Sequence, residues 1–254
     1  MPNTKHFTFA GHNQLQLAAR LDLPDTIPRC YAIFSHCFTC SKDILVAYRI
    51  SKQLAQLGIA TLRFDFAGLG ESEGEFADTN FSTNQLDLLA ASDYLTREYE
   101  APQLLIGHSL GGTAALACAE QIDSVKAVVT VASPGQPEHV LHHFGSALDE
   151  LSAGRNASIT VAGKTYAFKP QFIEDLKQHD MKSKLAQLSK AALIFSVEKD
   201  ELVEESDAEE IQQWIAGESV IIKLENTDHL ISDKASISYV ADHISDWFEI
   251  YMHR

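Results

Sequence analysis

The 254-residue chain lacks any apolar run approaching the ~20 residues of a membrane-spanning helix. Its first residues, Met1-Pro-Asn-Thr-Lys-His-Phe7, contain no apolar signal core. Both absences lead to the expectation of a cytoplasmic protein with no membrane partner. Basic residues are scarce: 20 Lys and Arg stand against 35 Asp and Glu, a formal net charge of −15. Such a surface repels polyanions, which argues against nucleic acid or an anionic membrane as partner and leaves solubility as the simplest role of the charge. Cysteine is confined to Cys30, Cys37, Cys40 and Cys118. A cytosolic chain of this length does not need disulfides to fold. Cys37-Phe-Thr-Cys40 is a lone C-x-x-C with no second pair to complete a zinc site, so two reduced thiols on a loop are expected, with a redox role as the alternative. There is no H-E-x-x-H. The Gly68-Leu-Gly70 pair has neither a third glycine at dinucleotide-binding spacing nor a P-loop lysine, so no metal and no cofactor are expected. Internal repeats, low-complexity tracts and linkers are also missing, which points to a single domain over 1–254.

What is present is ordinary globular material, 45% apolar and 22% charged, in which strand-like and helix-like stretches alternate. Gln14–Leu21 alternates like a half-buried strand. Cys30–Ser35, Ile59–Phe64, Gln103–Ile106, Val125–Val131, Ala192–Val197 and Val220–Leu224 are apolar runs of strand length. Helical patterns span Ile44–Leu57, Asn80–Tyr99, Ser109–Gln121, Glu204–Ile215 and Ser236–Tyr251. This alternation predicts an α/β fold, a mainly parallel sheet with helices on both faces and ligands at the carboxyl ends of the strands. One stretch, about 135–188, interrupts the rhythm. In it Glu138–Leu151 reads as a helix, Ser158–Phe168 as a hairpin turning at Ala162-Gly163, and Pro170 as the start of another helix. An insertion between two core strands is well placed to act as a lid, with Phe144 and Phe168 shaping a substrate pocket beneath it. His139, His142 and His143 share a helix spacing, but no carboxylate pattern accompanies them, so polar lid residues are the simpler reading.

The sharpest feature is Gly107-His-Ser109-Leu-Gly111, directly after the run Gln103–Ile106 and directly before a helical pattern. G-x-S-x-G between a strand and a helix is the signature of a nucleophile elbow, which exposes a serine on a strained turn. A serine hydroxyl needs a base, and the base an orienting carboxylate. His229 follows the strand Val220–Leu224 and precedes the last helix, which suits the base. The acid is expected on the loop after Ala192–Val197. Asp200 is the first choice, Glu198 the runner-up and Glu201 the third. Asp228 reads as a loop or cap residue. Two backbone N–H groups should hold the oxyanion, from Leu110 and from Phe38 in the loop after Cys30–Ser35. His36 is expected to brace that loop, and His108 is a further candidate for substrate contact. Asp65–Ser72 reads as a shaped structural loop beside the elbow.

These residues resemble the α/β-hydrolase superfamily over nearly the whole chain. His36-Cys-Phe-Thr-Cys-Ser-Lys42, Phe64–Phe76 and Leu105–Gly112 look like the hydrolase half of bacterial proteins that carry an OsmC-type peroxide-reducing domain. The resemblance implies an α/β-hydrolase fold with an eight-stranded sheet, a small lid, and a triad of Ser109, Asp200 and His229 with Phe38 at the oxyanion loop. Cys37 departs from the glycine that most of the superfamily has there. The residues up to Arg254 contain no stretch resembling an OsmC-type domain, so a single hydrolase domain is expected, with an OsmC-type partner as a possibility. The expected activity is hydrolysis of a small-molecule carboxylic ester or thioester through an acyl-enzyme, without need of the Cys37 and Cys40 thiols. The alternatives are perhydrolysis by the same triad, or a redox-linked accessory role using Cys37 and Cys40 with vestigial hydrolysis.

Overall fold

A computed structural model describes residues 3–253. In chain order the elements are β1 (Asn3–Ala10), β2 (Gln16–Leu23), β3 (Cys30–Ser35), α1 (Leu45–Gln56), β4 (Ile59–Phe64), α2 (Phe81–Glu98), β5 (Leu104–His108), α3 (Leu110–Cys118) and β6 (Ala127–Val131). They continue with α4 (Ala147–Ser152), β7 (Ala157–Val161), β8 (Lys164–Phe168), α5 (Gln171–Leu176), α6 (Met181–Leu185), β9 (Ala191–Lys199), α7 (Glu205–Trp214), β10 (Ser219–Asp228) and α8 (Lys234–Met252). Eight strands form one sheet in the order β1-β2-β4-β3-β5-β6-β9-β10. In this sheet only the pairs β1/β2 and β2/β4 are antiparallel; β4, β3, β5, β6, β9 and β10 run parallel. This is the α/β-hydrolase fold. Among the described residues no helix is long and apolar enough to cross a membrane.

The central strands are apolar on both sides because both faces are covered. In β3, Tyr31 and Ile33 enter one core while Ala32 and Phe34 enter the other, the two-residue period of a strand. One core takes Leu88, Ala91 and Leu95 of α2, the apolar face of α3, and Ala208 and Ile211 of α7. The other takes Val46, Ile50 and Leu54 of α1 with Val240, Ile244 and Phe248 of α8.

Three elements differ from the sequence expectation, the first being the short α6, which it does not contain. β1 has no counterpart in it either. Its residues are mostly polar and mostly exposed, as befits an edge strand, and only Phe9 is fully buried. The expected helix over Glu138–Leu151 is broken into a 3₁₀ segment, Pro137–His143, and the short α4. Gly145 between them sits at φ +48°, a left-handed conformation that ends a right-handed helix. The remainder of the 135–188 insertion contains the two-stranded β7/β8 hairpin and α5, which starts after Pro170 as expected.

Candidate active site

The elbow is built by close approach. A Cβ at Gly107 would lie 2.3 Å from the Gly111 carbonyl oxygen, and one at Gly111 would lie 2.3 Å from that of His36. Neither contact is sterically allowed, so only glycine lets β5, α3 and the end of β3 pass this closely. Between the glycines Ser109 adopts φ 52°, ψ −130°, a conformation a non-glycine residue takes only when its surroundings impose it. Here the Ser109 N–H donates to the Val131 carbonyl at 2.9 Å, locking the turn to β6. Ser109 is half-buried, hence reachable.

The loop after β3 is fastened to the elbow. Ser35 Oγ donates to the Gly111 carbonyl at 2.7 Å. His36 is fully enclosed; its Nδ1 donates to the Cys37 carbonyl and its Nε2 accepts from the Phe66 N–H. Burial lowers its pKa, which keeps this brace neutral. Leu110 opens α3, where the first N–H groups of a helix have no intrahelical acceptor. Phe38 lies in the facing loop, and Cys37, Phe38, Leu110 and Gly111 line one cavity.

Cys37 and Cys40 correct the expectation of free thiols: they are joined as a disulfide. The turn between them, closed by Cys40 N–H to the Cys37 carbonyl at 3.2 Å, brings the Cα atoms to 5.3 Å, within bonding range.

The base and acid candidates arrive from β9 and β10. β10 runs past the expected end at Leu224 to Asp228, with an irregularity at which Asn226 takes φ 55°. Glu198 Oε2 accepts from the Asn226 N–H at 2.8 Å, so this carboxylate anchors the bulge rather than an imidazole. Glu201 is exposed. Asp200 directly follows β9; its Oδ2 lies 2.7 Å from His229 Nδ1, and its Oδ1 accepts from the N–H groups of Leu202 and Val203, each at 2.9 Å. Burial would raise the Asp200 pKa. The hydrogen bond and charge of His229, with the two N–H donors, outweigh it and hold the carboxyl below its usual range. Asp228 ends β10 and accepts from the Ser232 N–H at 2.9 Å, a contact within the loop before α8, whose N-cap is Asp233.

His108 differs from its assignment as a substrate contact. Its side chain is fully buried, and Nε2 donates to the His229 carbonyl at 2.7 Å. Burial, assisted by the neighbouring His229, lowers its pKa to about 3. It therefore reaches the site only through His229, whose ring lies 4.9 Å from its own.

Phe144 and Phe168 are also more enclosed than expected, at 3% and 1% exposure. They pack behind Phe38 and Phe172, with Phe144–Phe168 centroids 4.8 Å apart, and do not themselves line the cavity. Aromatic lining comes from Phe38, Phe66, Phe76, Phe81 and Phe172. Of these only Phe38 is a candidate in the sequence; Phe66, Phe76, Phe81 and Phe172 carry no signal there beyond an aromatic close to a turn, a helix start or Pro170. The free space is about 10 Å³, roughly one water. The insertion touches this region directly: Tyr166 OH donates to the Thr39 carbonyl at 3.0 Å, and Asn80 Nδ2 donates to Gln171 Oε1.

The Asp65–Ser72 loop is held by ionic and backbone contacts. Asp65 accepts from Lys42 Nζ at 2.7 Å and from the N–H groups of Lys42 and Glu71. His142 meets His139 edge to face and His143 at a tilt, and His143 stacks on Phe38. Among the described residues no group of three or more His, Cys, Asp or Glu is arranged to hold a metal ion.

A family model described as serine aminopeptidase, S33, matches residues 44–165. The chain is 37% identical to the esterase domain of a Rhodothermus marinus protein, covering 98% of this chain and 99% of that one, with a TM-score of 0.80. The mouse alpha/beta hydrolase domain-containing protein 10 has the same fold, with a TM-score of 0.78 at 21% identity over 97% of this chain and 99% of that one. In sequence, the mitochondrial palmitoyl-protein thioesterase ABHD10 of Mus musculus is 31% identical over 39% of this chain, a match that spans 34% of that protein's own length. With the parallel sheet and the glycine-flanked elbow, these likenesses identify the chain as a hydrolase that belongs to the α/β-hydrolase superfamily.

Proposed function

We propose that this protein is a serine hydrolase that cleaves small-molecule carboxylic esters or thioesters through an acyl-enzyme on Ser109. The observation that carries this reading is the 2.7 Å hydrogen bond from His229 Nδ1 to Asp200. A carboxylate accepting at Nδ1 fixes the tautomer whose Nε2 is free to accept a proton. The carbonyl of the same histidine is tied to His108, the residue before Ser109. In this mechanism Ser109 Oγ attacks the acyl carbon as His229 Nε2 takes the hydroxyl proton. The N–H groups of Leu110 and Phe38 stabilise the oxyanion, and the imidazolium protonates the departing alcohol or thiol. Water, deprotonated by His229, then releases the acid. These steps require only side chains, backbone and water.

The ester and thioester classes are supported by the names of the relatives, an esterase domain and a thioesterase. The cavity beside the oxyanion loop supports a small or medium acyl group. Its aromatic walls offer apolar contact, and with space for roughly one water it must widen to admit any acyl chain. We assign that widening to the 135–188 insertion acting as a lid, since Phe172 belongs to it and Tyr166 links it to the oxyanion loop.

The test is labelling by a fluorophosphonate probe, with the modified peptide identified by mass spectrometry, alongside turnover of p-nitrophenyl butyrate. The wild-type protein should be labelled at Ser109. Ser109→Ala should abolish labelling and lower kcat by several orders of magnitude while keeping the fold. Near-wild-type turnover in a clean Ser109→Ala preparation ends the serine-hydrolase reading.

A further inference from the structure

The disulfide Cys37–Cys40 encloses Phe38, the residue to which the mechanism above assigns one oxyanion N–H. Phe38 is also the hub of the aromatic cluster, with ring contacts to Phe76, His143, Phe144, Phe168 and Phe172. The next residue, Thr39, stands at φ 57°. A β-branched residue in the left-handed region is a steric outlier that persists only under restraint. Three restraints act on it: the disulfide, the Cys40 N–H to Cys37 carbonyl bond at 3.2 Å, and the Tyr166 hydroxyl on its own carbonyl at 3.0 Å. The sulfurs differ in access, since Cys37 is buried and Cys40 only half-buried. By contrast, the free cysteines Cys30 and Cys118 are both buried, and burial pushes their thiols up to about 12, which leaves them poorly reactive.

We propose that Cys37–Cys40 is a thiol–disulfide exchange site for a dithiol reductant, and that its oxidation state sets hydrolase activity through the position of the Phe38 N–H. The coupling rests on the serine-hydrolase reading. A thiolate of the dithiol attacks Cys40 Sγ, the Cys37–Cys40 bond breaks, and Cys37 leaves as a thiolate that takes up a proton. The second thiol of the reductant then attacks the mixed disulfide and releases Cys40. The reductant ends as its own disulfide, and two electrons and two protons have passed to the protein. With the ring open, only two hydrogen bonds, Cys40 N–H to the Cys37 carbonyl and the Tyr166 hydroxyl to the Thr39 carbonyl, still oppose the strain, and Thr39 returns to negative φ. The Phe38 N–H then swings off the oxyanion position and its ring off the cavity. Loss of an oxyanion donor costs roughly 10²–10³ in kcat, so a displaced one should cost roughly 10–100-fold.

The experiment treats the full-length wild-type protein with dithiothreitol under native conditions. Iodoacetamide and peptide mass spectrometry score the state of each cysteine, circular dichroism the fold, and p-nitrophenyl butyrate kcat and KM. Reduced samples are then reoxidised with diamide. The expected result is alkylation of Cys40 and Cys37 ahead of Cys30 and Cys118, an unchanged fold, a roughly 10–100-fold fall in kcat and recovery on reoxidation. Cys40→Ser should have the low rate with or without dithiothreitol. Three outcomes overturn the proposal: unchanged kcat with both cysteines alkylated, a disulfide that resists the dithiol in the folded protein, or loss of the fold on reduction, which makes the bond a structural staple. No turnover in the oxidised protein would instead sink the serine-hydrolase reading, and the coupling with it.

Discussion

Replacing Asp200 by asparagine removes one charge and keeps nearly the same shape, so its effect can be worked out from hydrogen-bond counting. Asp200 accepts three hydrogen bonds, from His229 Nδ1 and from the N–H groups of Leu202 and Val203. An amide has one acceptor oxygen and one donor nitrogen. If the oxygen stays with the two loop N–H groups, the amide NH₂ faces His229 Nδ1 and forces the proton onto Nε2. An imidazole in that tautomer cannot accept the Ser109 proton. If the amide flips, His229 recovers the right tautomer, but two N–H donors face an NH₂ group. Each lost acceptor costs about 1–3 kcal/mol, so the flipped form lies about 2–6 kcal/mol higher. The loop thus selects the unproductive tautomer. At about 1.4 kcal/mol per decade, the productive form is scarce by roughly 30-fold to 10⁴-fold, before the weaker stabilisation of the imidazolium is counted. The assay is kcat and KM for p-nitrophenyl butyrate at neutral pH, with thermal melts to check the fold. kcat should fall by roughly 10²–10⁴-fold with KM little changed. Glu198→Gln is the control: a glutamine oxygen can still accept from the Asn226 N–H, so activity should be nearly retained. A crippled Glu198→Gln beside an active Asp200→Asn would refute the assignment of the acid and leave the rest of the mechanism standing.

Two further predictions concern the cavity and the buried imidazole under the site. Phe172→Leu removes part of an aromatic wall and should raise kcat/KM for octanoyl relative to butyryl esters; an unchanged chain-length profile would mean that the acyl group sits elsewhere. His108, with its pKa lowered from 6.5 to about 3 by burial, is neutral in the fold but takes a proton when unfolded below pH 6.5. The unfolded state therefore binds more protons between those values, and the stability that neutral His108 contributes, whole above pH 6.5, drains away as pH falls toward 3. His108→Gln should make the urea-unfolding free energy less steep in that window, by up to about 1.4 kcal/mol per pH unit, and identical slopes would show that His108 does not titrate this way.

Much of the fold was legible because central strands of a covered sheet are apolar on both faces and their helices amphipathic, patterns that are local in the chain. β1 escaped because an edge strand with mostly exposed residues has no such pattern. The helix expected over 138–151 failed at Gly145, where a weak periodicity yielded to a left-handed residue. Phe144 and Phe168 were expected at the pocket wall and lie one layer behind it, because depth in an aromatic cluster depends on how β8 and α5 fold back over Phe38.

By itself the sequence determined the strand–helix alternation, the glycine-flanked turn at Ser109 and the candidates that follow it in chain order, since each is set by neighbours a few residues away. Which of three carboxylates at the end of β9 and just beyond it meets His229 was decided only by the tertiary structure, because the bulge in β10 and the Glu198 contact to it fix where that imidazole sits. The same holds for the buried place of His108, the narrow aromatic cavity and the bond between Cys37 and Cys40. Each depends on distances or turn geometry set by packing, which residue order and spacing do not specify.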